Sequence, residues 1–428
     1  MNKPFTLGIN YWPRRKAMYW WSDFDETEVR DEFAVIRDIG LKVVRLFLLW
    51  DDFQPDPASV SGEAIDHLVR VADAAQENGL KIDVTFFTGH MSGPNWSPRW
   101  LLDGDLPPAA HRHFLRDVVS AGQKTDRGYR NMFHDEMALH AERLLLKTVV
   151  GALKDHPAIW MWNLGNEPDL FAWPNSSDDG AAWVRDMVGL IKSIDPNHPI
   201  TIGLHGDGLH RDNGFRIDKV DAETDLAVMH SYPMYTPWAR QPLDPDFVPF
   251  TCALTAALAG KPVLMEEFGG CTSQPGEPSH IMKWTETNGR EHEQFMASEE
   301  EFAEFIRLTL PKLHESGATG ALLWCFADYV FELWDRPPCQ NHWHERYFGL
   351  VRPDGSMKPH TKVIQDFAKT NPQVRPIPEY ARLRLNPDEF YAEPLPHLAQ
   401  LYAQYLQGVE KFEGTEAAAP NLSEANKE

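Results

Sequence analysis

Cysteine is scarce in this chain, with Cys252, Cys271, Cys325 and Cys339 scattered through 428 residues. So thin and uneven a supply excludes a disulfide framework and favours a reducing compartment, which makes the cytoplasm the expected location. Long apolar runs are missing too. No segment approaches the roughly 18 uninterrupted apolar residues of a membrane helix, and the opening MNKPFTLGINYWPRR has no apolar stretch of signal-peptide length. The expectation is a protein that neither spans a membrane nor is exported by the usual route. Basic charge is in deficit: 41 Lys and Arg face 63 Asp and Glu, a net charge of −22. That charge repels phosphate backbones and anionic lipid, so neither nucleic acid nor membrane is expected as a partner. Glycine-rich phosphate loops and serine-nucleophile elbows are absent as well, which leaves nucleotide and acyl chemistry without a candidate.

What the chain does have is enough apolar residues, 43%, to bury a large core. It has 15 Trp alongside 33 Pro, many of them in loop-like stretches such as GPNWSPRW and WDRPPCQNHWHE. An exposed indole offers a flat apolar face that suits the C–H face of a sugar, although most tryptophan in any protein is packing.

Short apolar or β-branched runs alternate with amphipathic stretches of helical length, the signature of a parallel sheet wrapped by helices. Eight strands are expected, at 5–10, 42–48, 81–87, 158–164, 199–204, 225–230, 262–268 and 320–326. Helices are expected at 28–39, 64–78, 137–154, 181–194 and 299–316, several of them closed by a glycine before the next strand. Eight β/α units make a (β/α)8 TIM barrel, a fold that reaches over 400 residues as one unit. The long segments 88–134, 231–246, 269–297 and 327–357 all follow strands, so they belong on the C-terminal face, where barrels build their sites. The barrel takes residues 1–370. The rest, 371–428, reads as an extension packing on it, with a helix near 395–411 and a polar, flexible end, EGTEAAAPNLSEANKE, from 413.

Two glutamates stand at strand ends: Glu167 in NLGNEP after the fourth strand and Glu267 in LMEEFGG at the end of the seventh. Breaking a glycosidic bond needs a protonated acid beside the leaving oxygen and a carboxylate beneath the anomeric carbon. Two glutamates on one rim supply both, with Glu167 as acid/base, its pKa expected to be raised by burial and the neighbouring charge, and Glu267 as nucleophile. Glu266 competes for the second role, but strict alternation along the strand turns it away from the centre if Glu267 faces in. Taken singly, each acid is as well explained as an ordinary strand-end carboxylate.

The motifs resemble those of clan A glycoside hydrolases, most closely family 5, whose acid/base lies in Asn-Glu-Pro on the fourth strand and whose nucleophile lies in Glu-aromatic-Gly on the seventh. The resemblance extends over most of 5–370 and implies roles for further residues. Arg45 and Tyr232 would support the nucleophile. His90, Asn166, His230 and Trp324 would bind the sugar, with Asn166 at the 2-hydroxyl and Trp324 as a platform. Each has a bland alternative as an ion pair or core packing. NYWPRRKAMYWW near the start and ERYFGLVRPDGSMKP near the end resemble the branch containing intracellular exo-β-mannosidases. The loop at 327–347, with Asp328, Glu332, Trp334, Asp335 and the aromatic run near Trp343, is expected to wall off one end of the cleft, so that Asp328 and Trp334, with Trp12, join the expected sugar contacts.

These readings imply a retaining exo-β-glycosidase, a β-mannosidase acting on short β-mannosides or manno-oligosaccharides. Its partner is a small oligosaccharide, it needs no cofactor and no metal, and the composition allows a homo-oligomer. An endo-β-1,4-mannanase or a β-glucosidase or β-galactosidase of the same family is the alternative. A carbohydrate-binding barrel without catalysis, and a metal-dependent hydrolase using His90, His205, His210 and His230, stand as readings of other classes. Cys271, Cys339, His342 and His344 could together bind zinc, though the spacing fits no standard finger.

Overall fold

The structure is a computed structural model that describes residues 3–107, 116–286 and 289–418. Eight parallel strands form its centre: β1 (Thr6–Asn10), β2 (Val43–Leu49), β3 (Lys81–Thr88), β4 (Ile159–Asn166), β5 (Ile200–Gly203), β6 (Ala227–Ser231), β7 (Val263–Gly269) and β8 (Gly320–Trp324). Their order in the sheet is β5-β4-β3-β2-β1-β8-β7-β6. The two ends meet where Asp225 N–H donates to Ile200 O and His230 N–H donates to Leu204 O, each at 2.9 Å, which closes the barrel. Every expected strand is present within two or three residues at each end. Their side chains are almost all buried, as expected for strands covered on both faces.

Helices follow the strands: α1 (Glu26–Ile39), α2 (Gly62–Glu77), α3 (Glu136–Leu153), α4 (Ser177–Ile194), a single turn α5 (Ile217–Val220), α6 (Phe247–Ala259), α7 (Glu299–Glu315) and α8 (Pro359–Lys369). Their starts are fixed by side-chain caps. Asp25 accepts from the N–H groups of Thr27 and Glu28, and Ser61, Asp135, Ser176 and Ser298 do the same for α2, α3, α4 and α7. Three of these helices, α5, α6 and α8, were not among those expected from sequence. For α6 the cause is plain: FVPFTCALTAALA has almost no polar face, because the barrel lies on one side and a further helix on the other.

That further helix is α9 (Pro394–Ala418), which ends the described chain. Tyr402 stacks over Phe250 of α6 at 4.6 Å between ring centroids, Tyr405 lies at 5.6 Å, and Tyr402 Oη donates to Asp244 at 2.6 Å. The polar end expected as a tail begins inside this helix, and residues 419–428 lie outside the described residues. An antiparallel hairpin, His280–Thr285 with Glu291–Met296, rises from the loop after β7. No helix among the described residues is long and apolar enough to cross a membrane.

Tyr405 is 1% exposed between Phe250 and Tyr380. Tyr405→Ala should therefore cost about 3–5 kcal/mol, the range for truncating a large buried aromatic. Urea unfolding followed by tryptophan fluorescence checks this; a loss under about 1 kcal/mol would mean that α9 is not fastened to the barrel by its tyrosines.

Candidate active site

The C-terminal ends of the strands open into a cavity of about 500 Å³. Each long post-strand segment contributes to it: His90 and Arg116 after β3, Glu167 and Leu170 after β4, His205 and His210 after β5, Tyr235 and Trp238 after β6, Glu286 and His292 after β7, and His342 and His344 after β8. Glu167 and Glu267 both face it, and the nearest oxygens of the two carboxyls lie within 4.8 Å.

Glu267 is fixed by two donors. Arg45 Nη1 donates to its Oε1 at 2.5 Å and Tyr232 Oη donates to its Oε2 at 2.8 Å. Arg45 is fully buried and also donates through Nε to Thr85 and through Nη2 to Asn166 Oδ1, so its guanidinium has one orientation. Room for it comes from Gly203, where a Cβ would stand 2.8 Å from Arg45 Nη2 and 3.1 Å from His230 Cε1. Asn166 donates its amide to His90 O at 3.0 Å and lines the cavity. His90 is held by Asn95 at 2.8 Å and points Nε2 toward Glu167 at 3.9 Å. Trp324 lines the cavity beside Phe47.

Glu167 occupies the left-handed region, with φ 47° and ψ 56°, between the end of β4 and Pro168. A non-glycine residue there, and before proline, carries backbone strain of order 1 kcal/mol. The turn aims the carboxyl at His230, whose Nδ1 lies 3.0 Å from Glu167 Oε1 and 3.4 Å from Glu267 Oε1.

Several expectations need correction. Glu266 does not turn away: its Oε1 accepts from Asn163 at 2.9 Å, and its Oε2 lies 3.0 Å from His230 Nε2 and 3.3 Å from Arg45 Nη2. The register of β7 against β8 shifts between Met265 and Phe268, and this irregularity breaks alternation so that both glutamates enter the barrel, one above the other. Trp12 is buried and stacks on Phe47, and Asp328 is buried in an ion pair with Lys358. Trp334 donates to Tyr329 O under Arg346. None of these three lines the cavity; the loop after β8 contributes His342, His344, Glu345 and Phe348 instead. Trp238, whose indole donates to His210, and Tyr235, 44% exposed, are cavity residues that motif reading passed over.

The protonation order also differs from that expected. Burial raises Glu167, but the charge of His205 and the hydrogen bond and charge of His230 outweigh it and hold Glu167 below the usual carboxylate range. His205 is itself charged: burial opposes this, but Asp169 at 2.7 Å and Glu167 lift it to about 10. His230 rises to about 9 against its burial, chiefly through Glu267 and its bonds to Glu167 and Glu266. Glu267 stands above the ordinary value through burial, Glu167 adding to it while His230 and Arg45 restrain it.

Glu167, His230 and Glu267 form one group whose ligand atoms converge closely enough for a cation. Their atoms are already engaged by Arg45, Tyr232 and one another, an arrangement built around a fixed guanidinium. Cys271, Cys339, His342 and His344 form no such group among the described residues. The cysteines are buried thiols, and Cys271 faces Met234 and Phe295.

Set against known proteins, residues 120–327 match the family described as GH family 5 beta-mannosidase-like. A mannan endo-1,4-beta-mannosidase F of Aspergillus flavus, described as probable, is 24% identical over 305 residues, 63% of this chain and 59% of its own length. A putative mannan endo-1,4-beta-mannosidase 9 of Oryza sativa is 33% identical over 153 residues, 30% of this chain and 36% of its own. The chain thus spans about a third to three fifths of the length of these curated relatives. In fold it is similar to a GH5_18 protein of Streptomyces cattleya solved with GlcNAc, with TM-score 0.70, 21% identity and coverage of 89% of this chain and 83% of that one. It is also similar to an exo-beta-1,4-mannosidase of Opitutaceae bacterium strain TAV5, with TM-score 0.68, 24% identity and coverage of 87% and 60%. These findings make the chain similar to the glycoside hydrolases of family 5. Within it, the resemblance is to the mannosidase branch.

Arg45→Met takes from Glu266 and Glu267 one of the two cations they share, leaving His230, and should cost about 3–5 kcal/mol at neutral pH. Without that cation both acids rise in the folded state above their unfolded value of about 4.3. The deficit is then full at pH 8 and narrows as pH falls toward that value. Denaturant unfolding of both proteins at pH 8 and pH 5 checks it; an equal deficit at the two values would assign Arg45 a packing role instead.

Proposed function

We propose that the protein is a retaining exo-β-mannosidase that releases terminal β-mannose from short β-mannosides. The observation that carries this reading is the facing pair, Glu167 and Glu267, with oxygens within 4.8 Å across a sugar-sized cavity. Retaining glycosidases hold their two carboxyls about 5–5.5 Å apart, whereas inverting ones leave about 6.5–9.5 Å for a water.

In this mechanism Glu267 attacks the anomeric carbon and the bond to the leaving oxygen breaks. Glu167 gives that oxygen a proton. Water then enters, Glu167 takes its proton, and the hydroxide displaces Glu267 to yield the sugar with its configuration retained. Arg45 and Tyr232 hold Glu267 in line and stabilise its charge when it is freed. Asn166, fixed by Arg45 and the His90 carbonyl, faces the 2-hydroxyl, where a hydrogen bond strengthens as the transition state forms.

Exo action is supported by two neighbouring segments that line the cavity, the one after β7 with Glu286 and His292 and the loop after β8 with His342, His344 and Glu345, His292 lying 6.5 Å from His342 between ring centroids. A mannoside is supported by the family match and by a structural neighbour bound to Manb1-4GlcNAc. The curated relatives are endo-acting mannanases by description, so endo action on mannan is the second reading. A cytoplasmic enzyme agrees with four thiols that have no disulfide.

Assayed side by side on p-nitrophenyl β-mannoside, β-glucoside and β-galactoside, the protein should turn over the mannoside at least about tenfold faster, an advantage of roughly 1.4 kcal/mol in the barrier. Chromatography of mannohexaose digests should show mannose from the first time point. Negligible mannoside turnover ends the mannoside assignment, and early di- and trisaccharides would transfer the protein to the endo class. Glu267→Ala should abolish release in either case, while EDTA should leave it unchanged; inactivation by EDTA would revive a metal-dependent hydrolase.

A further inference from the structure

Beneath the catalytic pair lies a second layer of ionisable groups that the mechanism above does not use. Glu266 is fully buried and spans Asn163, Arg45 and His230. Beside it, Asp83 of β3 is fully buried and receives no donor on either oxygen. Burial, and then the charge of Glu266, push Asp83 well above the usual range, which favours its protonated form beside Glu266. Glu266 meanwhile stays ionised between Arg45 and His230. A buried carboxylate with three fixed partners is costly unless each contact is made. Its placement directly under the imidazole that touches the acid/base is what calls for an account.

His230 has carboxylates at both nitrogens, Glu266 at Nε2 and Glu167 at Nδ1, each at 3.0 Å. A neutral imidazole has one N–H and could donate to only one of them; with both carboxylates ionised, the two contacts call for an N–H on each nitrogen. The groups around it are few. Arg45 comes from β2, Asp83 from β3 and His90 from the segment after it, Glu167 and Asp169 from the segment after β4, His205 from the segment after β5, Tyr232 from the segment after β6, and Glu266 and Glu267 from β7. Asp221, neutral through burial, stands near Glu266.

We propose that His230 stores the proton that Glu167 delivers to the leaving group, and that Glu266 is the positioning residue that keeps it there. This rests on the glycosidase reading above and adds the source of the acid's proton. With the sugar seated and water excluded, the Nδ1–H bond breaks and an O–H bond forms on Glu167 Oε1 across 3.0 Å. The transfer leaves the net charge of the buried set unchanged, because imidazolium and carboxylate become imidazole and acid. Glu167 then passes the proton to the departing oxygen as the glycosidic electron pair moves onto it. In the second half-reaction Glu167 takes a proton from water and returns it to Nδ1. Low Glu167 and high His230 are then the loaded state of an acid, not an obstacle to one.

The test is Glu266→Gln, which keeps the shape and the bond to Asn163 but removes the charge under His230. For a substrate with a poor leaving group, the alkaline limb of kcat/KM should move down by at least one pH unit. For an activated aryl mannoside, whose departure needs no acid, it should stay in place. A merely structural Glu266 would lower activity evenly across pH, and an unmoved limb in a folded variant overturns the proposal. Should the variant fail to fold, the 15N signals of His230 in the native protein, identified by their loss in His230→Asn, decide alone. Both nitrogens protonated at pH 7.5 supports the store, and a neutral ring at pH 7 overturns it. That readout needs no turnover, so it is separable from the fate of the function: absence of any β-glycoside hydrolysis sinks the glycosidase reading whatever the ring shows.

Discussion

Arg45 is the constraint on which the site depends. It is a guanidinium with no solvent exposure, in contact with Glu266, Glu267, Asn10, Asn166 and Thr85. Removing a charge of this kind from water costs several kcal/mol, and only complete pairing offsets that. The two adjacent glutamates of β7 do the pairing, and the irregular register of that strand brings both to it. Once Arg45 is fixed, Glu267 has one orientation and Asn166 is locked against the His90 carbonyl. The price is paid in the barrel wall, where Gly203 stands because a Cβ would press on both Arg45 and His230.

The second organising element is His230. It touches Glu167, Glu266 and Glu267 from a position with no solvent exposure. An imidazole among three carboxylates ties their protonation together: a proton moved on one changes the field at the others. The two catalytic acids are set apart by their donors: Arg45 and Tyr232 on Glu267, histidines on Glu167. In the proposed mechanism the acid held by Arg45 and Tyr232 attacks, and the acid held by histidines transfers the proton.

Much of this was legible in the chain, and the reasons differ from place to place. The eight strands announce themselves because buried parallel strands are unbroken apolar runs, and Glu167 and Glu267 stand out because each ends such a run. Arg45 is conspicuous as a charge in the middle of VVRLFL. By contrast α6 hides because a helix covered on two sides loses the polar stripe that marks helices. Glu266 was misjudged because alternation presumes a regular strand, and nothing in LMEEFGG marks the slip. Trp12, Asp328 and Trp334 show the limit of reading aromatic loops: composition says that a loop is near a sugar-sized opening, but Phe47 and Lys358 decide which side chains are turned from it. His205 carries no motif at all, and its charge comes from Asp169, 36 residues earlier.

The account stands on Glu267 as the group that bonds to the anomeric carbon with Glu167 opposite. Incubation with a 2-deoxy-2-fluoro mannoside bearing an activated leaving group, followed by peptide mass spectrometry, tests this most directly. The mechanism places one fluoromannosyl adduct on the peptide containing LMEEFGG, with fragment ions assigning it to Glu267. An adduct on Glu266 or Glu167, or an inverted product with no adduct at any time, would contradict it.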